Sequence, residues 1–140
     1  MRRKKTSVFY FTENCTKVWE AVTSKNENNG FTFSPMSDEE YERKKQEALS
    51  DGKALAQVTD LTPGVSCAYE LHAEKFDVFW SARFETVGDG ECRMVMTETY
   101  QFHRDAVPAF LLSLLFLRQR RQHRDFRDTI GQRLESMNKK

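Results

Sequence analysis

The sequence predicts an α+β domain in which an antiparallel sheet packs against a long C-terminal helix. Segments of alternating apolar and polar residues, separated by turn signals, follow one another from Lys53 to about residue 102. A short helical segment follows the first strand-like stretch, and an amphipathic pattern of about thirty residues closes the chain. A chain of 140 residues fits a single domain, 1–140, with one buried core.

The N-terminal part is predicted to alternate between strand and helix. Aromatic and β-branched residues at 6–11, TSVFYF, favour a strand, and residues 14–25, NCTKVWEAVTSK, favour a short helix. An Asn-Asn-Gly turn precedes a brief second strand, FTF, at 31–33. Ser37 and Glu40 have capping-box spacing, and the helix that they open, DEEYERKKQEAL, has almost no apolar face. We therefore expect this helix to be solvated.

Four further strand-like segments form a predicted meander. Pro63-Gly64 favours a tight turn, and the Gly-Asp-Gly at 88–90 favours a hairpin loop. A polar stretch, HAEK, separates the second segment from the third. The segments are ALAQVTD, VSCAYELH, FDVFWSARFETV and ECRMVMTETYQF, at 54–60, 65–72, 76–87 and 91–102.

The last hairpin specifies its own register. If residues 88–90 form a three-residue loop, then Val87 faces Glu91. Directly opposed residues share a face, so two apolar rows coincide in this register, whereas a shift by one residue would mix the faces. Glu98 then lies on the inner face beside Trp80, as a carboxylate in an otherwise apolar row. The pairs that continue outward are Phe84–Met94, Ala82–Met96, Trp80–Glu98 and Val78–Tyr100.

The C-terminal helix is predicted from about Ala106 to Ser136, with Pro108 tolerated in its first turn. At about 100° per residue, Gln119 and His123 fall near the middle of its apolar stripe. A helix with such a stripe should close over the concave face of the sheet. The stripe contains Leu112, Phe116, Phe126, Ile130 and Leu134, and Arg118, Arg121, Arg124 and Asp128 lie away from its centre.

Composition and charge exclude several classes of protein. A formal net charge of +1 argues neither for nor against a nucleic-acid partner, so the local distribution of charge has to decide. The basic segment at 118–124 is soon followed by acidic residues, as on the solvated face of a long helix, and we expect no nucleic-acid partner. No apolar stretch approaches the roughly 18 residues that span a bilayer, and the basic N-terminus leads into no secretory signal. Cys15, Cys67 and Cys92 form no CxxC pair, which favours reduced thiols in the cytoplasm. The three histidines lack metal-binding spacing, so neither a metal nor another cofactor is expected.

The order of strand, short helix, meander and long terminal helix resembles the START-like or Bet v 1-like superfamily (SRPBCC, polyketide cyclase-like). The likeness is carried by the stretch from Gly52 to Leu134. Within it, one segment looks like a bacterial domain family of unknown function, namely GKALAQVTDLTPGVSCAYELHAEKFDVFWSARFETVGDGECRMVMTE. The resemblance implies a helix-grip fold with a curved antiparallel sheet of six or seven strands. A strand of the superfamily usually stands where this chain has SDEEYERKKQEAL. Members bind sterols, lipids, plant hormones or polyketides, and others are cyclases or co-chaperones, so the fold does not fix the function.

Glu98 is the first candidate for a chemical role, because burying an unpaired carboxylate is costly and demands a partner. We expect it to contact His123, Gln119 or Tyr69. A Glu–His pair can act as a general acid or base, although a histidine on an apolar stripe is often a packed side chain. Aromatic and Met side chains around it either line an adaptable pocket or simply fill the core. These candidate walls are Trp80, Tyr69, Tyr100, Phe84, Met94 and Met96.

Three functions fit these residues. The leading interpretation is a small-molecule-binding domain that holds an apolar or amphipathic ligand, lipid- or polyketide-like, between the sheet and the terminal helix. A second is a cyclase- or hydrolase-type enzyme that uses Glu98 and His123. A third is an interaction module without a real cavity, which acts either through the basic C-terminal helix or by self-association as a homodimer. The basic segment RQRRQHR, at 118–124, is the part of that helix that fits weak membrane-surface contact.

Overall fold

In a computed structural model, residues 2–24, 37–50, 55–73, 75–103 and 108–138 are described. They form five strands and three helices in the predicted α+β order. The elements are β1 (Arg2–Phe11), α1 (Cys15–Thr23), α2 (Asp38–Ser50), β2 (Leu55–Thr62), β3 (Ser66–His72), β4 (Phe76–Thr86), β5 (Cys92–Phe102) and α3 (Ala109–Asn138).

The strands form one antiparallel sheet in the order β1-β5-β4-β3-β2. Six or seven strands were expected, and the described residues supply five. The expected strand at 31–33 lies outside the described residues. Within the described part of the chain, the position of SDEEYERKKQEAL holds α2 rather than a strand. The first strand pairs with the last, which brings the N-terminal residues beside β5.

The predicted register of the β4–β5 hairpin is confirmed. Phe84 pairs with Met94, and Trp80 pairs with Glu98. The backbone N–H of Val87 donates to the carbonyl of Glu91 at 3.2 Å, as a three-residue loop requires. Gly88 and Gly90 have φ of 113° and 74°, backbone conformations that residues with a Cβ rarely adopt.

The face of the sheet that carries Trp80 and Glu98, the inner face, is covered by α3. The predicted stripe is confirmed, since Gln119, His123, Ile130 and Leu134 are the buried residues of this helix. The apolar contacts fall into two clusters. A large one joins β1, β3, β4, β5, α1 and the C-terminal half of α3, and a small one joins Val78, Tyr100 and Phe102 to Leu112, Leu115 and Phe116.

Helix α1 supports the C-terminal end of α3. Its N-cap is Asn14, whose side chain accepts from the backbone N–H of Lys17 at 2.8 Å. The Trp19 indole donates to the Ser66 carbonyl at 2.8 Å, which fixes α1 to β3. From α3, the Arg133 guanidinium donates to the Ala21 carbonyl at 3.0 Å.

Helix α2 is more tightly held than its sequence predicts. Ser37 caps it as expected, accepting from the Glu40 N–H at 3.2 Å. However, Tyr41 is buried, and its ring lies 6.2 Å from the His72 imidazole in β3. His72 alternates with the inward-facing Leu71, so α2 lies against the outer face of the sheet. In the described ranges, no helix combines the length and the hydropathy that a membrane span requires.

Candidate functional site

Glu98 is buried on the inner face, at 6% exposure, as its place in the β5 alternation predicts. It lies opposite Trp80 of β4 and Lys5 of β1. Along β5, Met94 and Met96 belong to the large apolar cluster, whereas Tyr100 belongs to the small one. The carboxylate therefore lies between two apolar clusters rather than within one.

His123 faces Glu98 from α3. Its Nε2 lies 3.5 Å from Glu98 Oε1, somewhat beyond the range of an ordinary N–H···O hydrogen bond. Neither atom has a hydrogen-bond partner among the residues that the structure describes. The expected contact between carboxylate and imidazole is thus present, but it leaves two buried polar atoms unsatisfied.

Ser7 holds the other side of the imidazole. Its Oγ lies 2.7 Å from His123 Nδ1. In the tautomer in which the Ser7 hydroxyl donates to Nδ1, the ring proton is on Nε2 and points toward the carboxylate. Ser7 was missed in the sequence analysis, because its inward orientation matters only once β1 pairs with β5.

Gln119 is fully buried and does not meet the Glu98 carboxylate. Its Nε2 donates to the Glu98 backbone carbonyl at 3.3 Å, and its Oε1 accepts from Arg3 Nε at 3.2 Å. The Arg3 guanidinium also lies 4.1 Å from the centre of the Phe116 ring, a cation–π distance. Gln119 therefore ties α3 to both β5 and β1 with its amide.

Together these side chains form a polar band between the two apolar clusters. The polar band consists of Arg3, Ser7, Glu98, Gln119 and His123. Two of its members come from β1, one from β5 and two from α3, so the band exists only where three elements meet. The arrangement can accept, donate and relay a proton within a largely apolar surrounding.

The predicted wall residues surround the band, but they do not enclose a single chamber. Trp80, Phe84, Met94 and Met96 are buried in the large cluster, and the Tyr69 ring stacks on Trp80 with centroids 5.2 Å apart. Tyr100 lies on the other side of Glu98, stacked on Phe102 at 6.0 Å. Tyr100 is therefore separated by Glu98 from the other five predicted wall residues, which belong to or pack against the large cluster.

The tyrosine hydroxyls beside the carboxylate stay protonated. Burial raises the pKa of Tyr69 far above its usual range, and the charge of Glu98 raises it further. The same two causes, burial first, raise the pKa of Tyr100 to about 12. Both phenols are therefore hydrogen-bond donors at neutral pH.

The inner face is closely filled where the walls meet α3. Met94 and Gln119 are 0% exposed, and Met96 is 2% exposed. A hollow of about 200 Å³ lies instead around residues of β2, β3, β4 and β5, most of them outward-facing, and none of the predicted site residues lines it. Its lining includes Asp60, Ser66, Ala68, Ser81, Arg83 and Thr97.

A second polar cluster lies on the outer face. Asp77 accepts from His72 Nδ1 at 2.8 Å and from His103 Nε2 at 3.0 Å, and Glu70 lies 3.1 Å from the other nitrogen of His72. Burial opposes ionisation of Asp77, but the hydrogen bonds from His103 and His72 outweigh it and lower its pKa. No group of three or more His, Cys, Asp or Glu side chains in the described ranges is arranged to hold a metal ion.

Solved structures with the same fold cover nearly the whole chain. The Zhui aromatase/cyclase from Streptomyces sp. R1128 has a TM-score of 0.63 at 13% identity, over 96% of this chain and 94% of its own. A START superfamily protein from Mycobacterium smegmatis has a TM-score of 0.61 at 8% identity, over 96% and 98%. Ara h 8.0201 has a TM-score of 0.55 at 8% identity, over 96% and 99%.

No protein-family model matches the chain, and no curated protein is significantly similar to it. The structural likeness confirms the predicted helix-grip fold of START-like and Bet v 1-like proteins. At identities of 8–13% the likeness extends to the fold alone, and the chemistry depends on the residues of this chain.

Proposed function

We propose that the protein binds an apolar or amphipathic small molecule between the sheet and α3, with a ligand hydroxyl placed between Glu98 and His123. One observation carries the proposal. Glu98 Oε1 and His123 Nε2 are buried, 3.5 Å apart, and without other hydrogen-bond partners among the described residues. Each unsatisfied buried group costs about 1–3 kcal/mol, so a ligand that satisfies both gains affinity.

A hydroxyl suits this pair chemically. It donates to the carboxylate and accepts from the imidazole N–H, because one hydroxyl oxygen both donates and accepts. Two polar atoms 3.5 Å apart can both lie within about 2.8 Å of a single bridging oxygen. A buried water would satisfy the same atoms, and a ligand hydroxyl would displace it.

The apolar part of the ligand would lie against the large cluster. Trp80 and the stacked Tyr69 offer a flat aromatic surface, and Met94 and Met96 offer adaptable side chains. Because these side chains fill the interface, entry requires α3 to move away from the sheet or the methionines to repack. The N-terminal half of α3 packs on the small cluster and therefore buries less apolar surface than the C-terminal half. It is the part of the helix that would separate from the sheet at lower cost.

The test is ligand binding in wild-type protein and in two matched variants. Native mass spectrometry after mild purification should show a retained small molecule, and lipids, sterols and aromatic metabolites can be screened by thermal shift. Glu98→Gln should weaken binding of a hydroxylated ligand roughly tenfold, since it removes a charged hydrogen bond. Glu91→Gln, an exposed carboxylate next to the same strand, should leave Kd unchanged.

The proposal fails if the wild type retains nothing and no compound raises its Tm. It also fails if Glu98→Gln and Glu91→Gln bind the identified ligand equally. If the identified ligand has no polar group and binds Glu98→Gln and Glu91→Gln equally well, its site on the inner face does not include the Glu98–His123 pair.

A second candidate function is hydrolysis. The observation that favours it is the continuous line from Ser7 through His123 to Glu98, which has the order hydroxyl, imidazole, carboxylate. Here the hydroxyl meets Nδ1 and the carboxylate meets Nε2, whereas serine proteases use the opposite ring nitrogens. An activated ester such as a p-nitrophenyl acyl ester is the appropriate probe. Ser7→Ala should abolish turnover and Thr6→Ala should retain it; equal rates, or no rate in the wild type, would exclude this function.

A third candidate is contact with an anionic membrane surface. Phe110, Leu114 and Leu117 are 69%, 59% and 43% exposed and lie on one face of α3, followed by the exposed Arg118 and Arg121. Apolar side chains beside basic ones fit a lipid surface of negative charge.

Flotation with anionic vesicles tests the membrane candidate. Leu117→Glu should abolish binding, whereas Gln132→Glu, which adds the same charge to a distant exposed position of α3, should not. Wild-type protein that stays unbound, or that floats equally well with neutral vesicles, would contradict it. Location in the cytoplasm stays a prediction.

A further inference from the structure

Two of the three cysteines meet in the core although 77 positions separate them. Cys15 is the first residue of α1 and Cys92 is the first residue of β5. Their Sγ atoms are 2.7 Å apart, and the two residues are 9% and 0% exposed. Cys67, by contrast, lies in β3 opposite Ala82.

The backbone holds this pair of thiols in place from both sides. Cys92 is paired with Phe11 of β1 and with Thr86 of β4, so its position is fixed by two ladders. Cys15 follows the Asn14 cap and lies within 3.6 Å of the Thr86 hydroxyl. A disulfide has sulfurs about 2.05 Å apart, so the pair has to approach by roughly 0.7 Å.

We propose that Cys15 and Cys92 form a reversible disulfide when the protein meets a peroxide. The Cys15 thiolate attacks one peroxide oxygen, the O–O bond breaks, and Cys15 becomes a sulfenic acid while water leaves. The Cys92 thiolate then attacks the Cys15 sulfur, the S–O bond breaks, and a second water leaves. Two thiols are oxidised and one hydrogen peroxide is reduced to two waters.

The order of the two steps follows from accessibility. Cys15 retains some exposure and Cys92 has none, so a small peroxide reaches Cys15 first. Burial, together with the Cys15 thiol beside it, raises the pKa of Cys92 to about 12. Because only the thiolate attacks, closure of the bond should accelerate as the pH rises from 7 to 9.

The disulfide would fix α1, the helix that contacts the C-terminal end of α3, to the sheet. Helix α1 already receives the Arg133 hydrogen bond from α3, and Asn138 of α3 donates to Glu13 at 2.8 Å. Linking α1 covalently to β5 closes a long loop and restricts the unfolded chain. The oxidised protein should therefore melt roughly 10 °C higher than the reduced protein.

Trypsin separates the three cysteines completely, which makes the test direct. Cleavage after Lys and Arg places Cys15 in residues 6–17, Cys67 in residues 54–75 and Cys92 in residues 84–93. Folded wild-type protein is treated with hydrogen peroxide, remaining thiols are alkylated, and the non-reduced digest is analysed by mass spectrometry. We expect a linked pair of peptides 6–17 and 84–93, an intact mass lower by about 2 Da, and reversal by dithiothreitol.

Cys67→Ala should retain the crosslink and the rise in Tm, and Cys92→Ala should lose both. The wild-type digest decides the question even if a variant folds poorly. A linkage that contains peptide 54–75, an intermolecular dimer, sulfinic acid without a crosslink, or no oxidation at all would overturn the proposal.

Discussion

Ser7 in the first strand and His123 in the last helix are joined by a hydrogen bond of 2.7 Å that spans 116 positions of sequence. It fixes one nitrogen of a buried imidazole and turns the other toward Glu98. The hydroxyl thus serves both the packing of β1 against α3 and the orientation of the candidate site.

Ser7→Ala should destabilise the fold by about 1–2 kcal/mol, because His123 Nδ1 is left unpaired in the core. Urea denaturation measures the change in the free energy of unfolding. Thr6→Ala is the matched control, since its hydroxyl lies on the exposed face, 3.3 Å from the Thr97 hydroxyl. Equal losses for the two variants would mean that the buried hydrogen bond contributes nothing.

Replacing Glu98 by an apolar residue should stabilise the protein while it weakens binding. Glu98→Met joins the two apolar clusters and removes a buried carboxylate whose Oε1 has no hydrogen-bond partner among the described residues, for an expected gain of about 1 kcal/mol. Denaturant unfolding and ligand titration on the same variant measure the two effects. A loss of stability in Glu98→Met would show that the carboxylate is retained for the fold and not for a ligand.

Asp77 should make stability depend on pH in the acid range. Its pKa is lowered from the ordinary 3.8 by His103 and His72, against the effect of burial. A lowered pKa contributes stability that is fully present above the unfolded-state value and is lost as the pH falls through the folded-state value. Wild type should therefore be more stable than Asp77→Asn at pH 7, by about 1 kcal/mol, and the difference should shrink as the pH falls below 3.8 toward the lowered pKa of Asp77. A difference that grows as the pH drops below 3.8 would contradict this sign.

Tyr41 should hold α2 on the outer face of the sheet. It is a buried side chain in a helix with many charged residues, and its ring meets the edge of His72. Tyr41→Ala should raise hydrogen exchange across residues 38–50 at least tenfold and leave β4 and β5 protected. Val8→Ala, at a 49% exposed position of β1, is the control and should change neither region. Uniform loss of protection throughout the chain would show that α2 and the sheet unfold together.

The faces of the elements could be predicted from the sequence because each depends on a short repeat. The two-residue alternation of β4 and β5 places Glu98 inward beside Trp80, and the 3.6-residue period of α3 places Gln119 and His123 on its buried stripe. The register of the hairpin also depends on local sequence, because Gly88 and Gly90 adopt the positive φ that the three-residue loop requires. These predictions needed no knowledge of which elements become neighbours.

Which residues share a site was decided only by the tertiary structure. The pairing of β1 with β5 brings Ser7 and Arg3 to the polar band, and the seating of α1 brings Cys15 to Cys92. Packing also decided that Gln119 bonds to the backbone of Glu98 and that Tyr100 joins a different cluster from the other walls. The physical reason is range: a repeat along the chain determines which way a side chain points, whereas contacts across more than a hundred positions depend on how separate apolar faces are buried together.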